Sequence, residues 1–175
     1  MKRQQMWLTA GAAAAVITLL SACSGTQQED RPEKPGHAAA EQSTAKSAKV
    51  ALAEGLKTAL EERLSVHENR YGSGTESVCS TASPKMFSRE CAEAAATTGE
   101  DAAYALARIE GKEGYATLRS VARKLQAATA DYERLACATN PTDPATRKAC
   151  LDPAAAIAQG TTDLRDGTRL GLAGR

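Results

Sequence analysis

Residues 118–135, LRSVARKLQAATADYERL, place Leu118, Val121, Leu125, Ala128, Tyr132 and Leu135 at alternating steps of three and four. That is the spacing of an apolar seam along one side of a helix that packs against a neighbour. Arg119, Arg123, Lys124 and the Glu133-Arg134 pair read as a solvated face. Run toward the N-terminus, the same register passes through Gly114, Gly111, Ala107 and Tyr104, which predicts one long helix over 99–138. Thr98-Gly99-Glu100-Asp101 looks like its capping box, with Asp in the place Glu usually takes. Two glycines on a seam have two readings. They are a break, because together they cost about 1.5–2 kcal/mol of helix preference. Or they are a close-approach site where another backbone rests on bare Cα atoms. Their register slightly favours the second.

Outward from this helix, the remaining elements also read as helical. Asn140-Pro141 ends it, Asp143-Pro144 opens a short helical turn, and Asp152-Pro153 pairs an N-cap with a proline. A last helix over 153–169 carries Ile157, Thr161 and Leu164 on one face. Gly160, Gly167 and Gly171 weaken it, and residues 171–175 read as frayed. On the other side, Ser83-Pro84 predicts a short helix over 84–96. A first helix over 45–68 has Leu52, Leu56, Leu60 and Leu64 in steps of four, with Ala45, Ala48 and Ala59 filling the same side. Tyr71-Gly72-Ser73-Gly74 stops it. No strand-like alternation and no internal repeat is present. About a fifth of the chain is alanine and only 3% is aromatic, which suits thin helix–helix contacts and not the thick core of a sheet fold. The expectation is an all-α domain over 45–170, a small bundle of three to four helices.

Cys79, Cys91, Cys137 and Cys150 are an even set in this domain, and four cysteines allow three connectivities. Local pairing, Cys79 with Cys91 and Cys137 with Cys150, closes loops of about 12–14 residues, each contributing about 3 kcal/mol. In an up-down-up-down bundle both bridges then lie at the end farther from the start of the first helix, and the crossed pairing stays geometrically open. Zinc sites want closer Cys pairs and redox catalysts a Cys-x-x-Cys, and neither spacing occurs.

The N-terminus carries a different signal. Lys2 and Arg3 precede an uncharged stretch, Met6 to Leu20, about 22 Å long as a helix and short for a membrane span. It has the form of a secretory signal segment. It ends in Leu20-Ser21-Ala22-Cys23, which resembles the lipobox of bacterial lipoprotein signal peptides. The resemblance covers residues 1–23. It implies cleavage between Ala22 and Cys23, a diacylglyceryl thioether on Cys23, and a lipid-anchored chain on the extracytoplasmic side of the cell membrane. Two acyl chains suffice for stable anchoring. Residues 24–44, SGTQQEDRPEKPGHAAAEQST, hold no large apolar side chain, so residues 23–44 read as the lipidated N-terminus and a disordered linker. His37 in this stretch reads as solvated.

No catalytic set, metal-ligand set or cofactor motif stands out. His67 continues the leucine side of the first helix and reads as a buried or helix-terminal structural residue. Asp101, Glu110, Glu113 and Asp131 are acids on the long helix, at spacings that serve solubility as well as chemistry. A formal charge of +1 leaves no footprint for nucleic acid. These features favour a non-enzymatic tethered domain that binds or spaces an envelope protein or wall component. The alternatives are a solute-binding lipoprotein and, behind it, a small cell-envelope hydrolase.

Overall fold

The computed structural model describes the backbone of residues 37–172 and the side chains of residues 48–171, so Cys23, Ala22 and the signal segment lie outside the described residues. Every regular element among the described residues is helical: α1 (His37–Tyr71), α2 (Arg89–Arg108), α3 (Ala116–Arg134), the short α4 (Pro144–Ala149) and α5 (Leu151–Leu172). The four long helices form a ring in which α2 lies between α1 and α3, and α5 between α3 and α1.

Helix α1 begins at His37, inside the stretch read as linker. Ala38-Ala39-Ala40 and Glu41-Gln42 are strong helix formers, and a continuing helix needs no buried face of its own to accept them. Its buried stripe is Ala53, Leu56, Leu60, Leu64, His67 and Tyr71, while Leu52 is 41% exposed. A strict step of four drifts by about 40° per step around a 3.6-residue helix, so Leu52 has rotated off the face that Leu64 occupies. Gly72, at φ 72°, ends the helix and its N–H bonds back to Glu68 O.

The single helix read over 99–138 is two helices. Helix α2 starts at Arg89, capped by the Ser88 side chain on Glu90 N, and runs on to Arg108. Pro84 instead opens a run of turns, and Thr98 and Asp101 are mid-helix and buried. The break falls at Gly111 and Gly114, whose φ values of 66° and 84° lie in the left-handed region that favours glycine. Ala107 and Gly111 are exposed, so the seam does not extend back beyond Leu118. Arg119, expected on a solvated face, donates from one guanidinium nitrogen to both Ile109 O and Lys112 O and ties the turn to α3.

Close approach belongs to α5 instead. Helices α3 and α5 share the largest interface in the bundle. A Cβ at Gly167 would stand 3.0 Å from Leu118 Cα, and one at Gly160 would stand 2.9 Å from Thr98 Cγ2. The Tyr115 ring lies against Gly171. The glycines that weaken α5 in isolation are thus its contact points, and Gly171 is buried in the helix and not frayed. Helix α5 starts at Leu151, with Pro153 in its first turn where a missing N–H costs no hydrogen bond. Asp143 caps α4 by accepting from Thr146 N, as its Asp-Pro sequence implies.

The core has two parts. One gathers Leu56, Leu60, Leu64, Leu118, Leu125 and Leu164 around Ala102 and Ala105. The other surrounds Cys79–Cys91 and Cys137–Cys150, both locally paired, together with Tyr71, Met86, Tyr132 and Ile157. Tyr71 closes α1, so both bridges lie at the end of the bundle away from the start of that helix. The buried Tyr132 hydroxyl donates to Met86 O, and burial pushes its pKa up to about 12.

Arg165 joins α5 to α1. Its terminal nitrogens fork onto Glu68 at 2.6 and 2.7 Å, and its Nε reaches Glu61 at 2.8 Å. Thr161 adds a hydrogen bond to Glu68. The Arg165 hydrogen bonds hold the Glu68 carboxyl down at about 2, well below its ordinary 4.5, and raise the Arg165 pKa.

Two outcomes follow from this packing. Gly167→Val should destabilise the domain by about 1–3 kcal/mol through overpacking against α3, whereas Gly55→Ala, with open space around it, should stabilise it by up to about 1 kcal/mol. Thermal unfolding followed by circular dichroism compares them. The Glu68 contribution is complete above pH 4.5 and is lost as pH falls through about 2. The stability gap between wild type and Glu68→Gln in urea should therefore close on acidification across that window. A gap independent of pH would remove the clamp.

Candidate functional site

Helices α1 and α2 run side by side and leave an open groove of about 550 Å³ between them. Its floor is polar. Asp101 is 1% exposed and His67 is 4% exposed. His67 Nδ1 stands 3.0 Å from Asp101 Oδ2, and Arg63 Nε donates to Asp101 Oδ1 at 2.9 Å. A carboxylate only accepts, so the Nδ1 position carries the hydrogen and the ring is held by its partner. Arg63 and His67 are one helical turn apart on α1, which is why a single residue of α2 meets both.

Above this floor, the walls carry aromatic and cationic groups. The guanidinium of Arg63 lies 4.8 Å from the Tyr104 ring centre, and that of Arg108 lies 5.0 Å from it. Arg108 also donates to the Tyr104 hydroxyl at 2.9 Å. Tyr104 follows Asp101 by three residues and Arg108 follows Tyr104 by four, so all three share one face of α2. Toward the disulfide end, Arg70 bonds Glu93 and stacks on Tyr71. Thr97 lines the same groove, and its hydroxyl donates to Glu93 O within its own helix.

A second open groove, of about 560 Å³, runs between α2 and the end of α3. Ala92, Ala95, Ala96, Gly99 and Ala130 make it smooth and apolar.

The four acids expected on one helix separate. Only Asp101 enters a site. Glu110 and Glu113 lie in the turn between α2 and α3, and Asp131 forms an exposed pair with Arg134. His67 is both buried and near the end of α1, and it is drawn into a polar cluster that the helix pattern alone does not announce. His37 begins α1, and its side chain lies outside the described residues. The four cysteines of the domain serve as structural bridges. No group of His, Cys, Asp and Glu among the described residues is arranged to hold a metal ion. Arg63 and Arg108 carry no site signal of their own in the sequence, and Tyr104, which the seam register passes through, stands on the groove wall. The one signal for them is their spacing of three and four from His67 and Asp101 on two different helices.

Removing the carboxylate should be costly here and cheap elsewhere. Asp101→Ala strands His67 and Arg63 and should destabilise the domain by about 3 kcal/mol. Asp131→Ala breaks an exposed pair and should change stability by less than about 1 kcal/mol. Urea unfolding of both variants measures the difference. The chain matches no family model, no curated protein and no solved structure.

Proposed function

We propose that this chain is a bacterial lipoprotein, held at the extracytoplasmic face of the cell membrane by a diacylglyceryl group on Cys23. Its helical domain has no catalytic task and binds or spaces another component of the envelope, a protein or a wall polymer. One observation carries this reading. The four cysteines of the domain pair with one another. Cys23 is therefore the chain's one remaining thiol, and it stands at the end of the lipobox-like Leu20-Ser21-Ala22-Cys23. Two disulfides suit an exported, oxidising setting, and a thiol with no partner in the chain suits covalent modification.

The binding role draws on the shape of the domain. No helix among the described residues is long and apolar enough to cross a membrane, and in this reading the lipid on Cys23 holds the chain. Both grooves are open troughs along helix pairs, which fits a partner surface or an extended ligand better than an enclosed solute. The buried His67–Asp101 pair joins two helices, and the threonine hydroxyl of its groove is bonded to its own backbone.

The anchor is tested with Cys23→Ser. In detergent-phase partitioning, the wild-type chain should enter the detergent phase and the variant the aqueous phase, with the helical circular dichroism signal unchanged. A variant that stays in the detergent phase sinks the reading.

A further inference from the structure

We infer that the groove between α1 and α2 binds a ligand that presents an anionic oxygen group, phosphate or carboxylate, to His67, Arg63 and Arg108. The site would deepen the partner-binding reading, and rests on it only for where such a ligand comes from.

His67 is 96% buried, the complement of its 4% exposure, and its Nδ1 is taken by Asp101. Its Nε2 makes no hydrogen bond with the described residues, yet no fully buried side-chain nitrogen or oxygen among them goes unpaired. Nε2 therefore keeps some surface of its own, and His67 lines this groove. A ring held by a carboxylate through one nitrogen, and lining a groove, is a built polar feature.

The cations around it are similarly uncommitted. Arg63 spends Nε on Asp101 and makes no other hydrogen bond among the described residues, so its terminal nitrogens remain available above Tyr104. Arg108 has no carboxylate partner among the described residues and rests on the same ring. Guanidinium forks are matched to carboxylate and phosphate oxygens. With Nδ1–H given to Asp101, Nε2 donates to an oxyanion when the ring carries both protons, and Asp101 behind the ring then balances the imidazolium charge. Arg70 is already engaged by Glu93 and is not needed. Glu62 lies on the α1 lip without a partner among the described residues, and it opposes an anion. That opposition gives the site a distinguishing test.

The chain has two histidines, His37 and His67, so each ring gives its own NMR signal and His37 is an internal control. The full-length chain in a neutral detergent is titrated with sodium phosphate in one arm and sodium acetate in another, at fixed pH and ionic strength. In at least one arm the His67 ring signal should shift saturably with a midpoint below about 10 mM, the weak end of the binding scale, while His37 does not. The arm with the lower midpoint identifies the preferred group. Arg108→Gln should raise the midpoint at least fivefold, and Glu62→Gln should lower it at least twofold. Both positions are exposed, so neither variant threatens the fold. A His67 signal that moves no more than that of His37 in either arm overturns the site, as does a midpoint that neither substitution changes. Either result leaves lipid anchoring at Cys23 unaffected, and the partitioning experiment leaves this site unaffected.

Discussion

Helix α5 presents bare glycine backbone to both α2 and α3. Gly167 faces Leu118 Cα, Gly160 faces Thr98 and Leu125, and Gly171 faces the ring of Tyr115. A chain with so few aromatics has little bulk with which to fill space between helices, so its helices must come close for dispersion contacts to form at all. The alanines of α2 and α3 serve the same end: Ala94, Ala102, Ala105 and Ala122 are all essentially without exposed surface. Much of the rest depends on this proximity. It sets α2 near enough to α1 for Asp101 to meet Arg63 and His67, and α5 near enough to α1 for Arg165 to span Glu61 and Glu68.

The thinness of the core also gives the disulfides and the polar contacts their weight. Both bridges sit in one of the two core parts, at one end of the bundle, where each constrains a loop that the apolar contacts alone would hold weakly. The buried Asp101 acts differently. It gains little net stability over an apolar residue of its size, but it specifies which register of α1 faces α2, because only one register gives the carboxylate both partners. The same arrangement places His67 in the lining of a groove, so that a contact joining two helices is also a candidate recognition point.

The sequence and the structure agree where local chemistry decides and part where distance decides. The leucine stripe of α1, the seam from Leu118 to Tyr132, the Asp143-Pro144 cap and the terminating Gly72 are legible because each rests on the preferences of neighbouring residues. The spacings of 12 and 13 residues suit local bridges for the same reason, and the structure selects that pairing over the crossed one. The glycines are not legible in this way. Gly111 and Gly114 read either as a break or, slightly favoured, as close-approach positions on a seam, and they are the break, a turn with positive φ. Gly160, Gly167 and Gly171 read as weak points, and they are the close approach. A glycine's role depends on what lies across from its Cα, and that is absent from a one-dimensional pattern.

The sequence by itself determined the helical class and an even set of four domain cysteines at spacings that suit local pairing, because helix propensity and loop closure act within short stretches of chain. Only the tertiary structure decided that the 99–138 segment folds as two helices and that α5 packs by its glycines. It alone brought Arg63, His67, Asp101, Tyr104 and Arg108 into one groove. Those outcomes depend on the relative register of helices thirty or more residues apart in the chain, and register is settled by packing all of them at once.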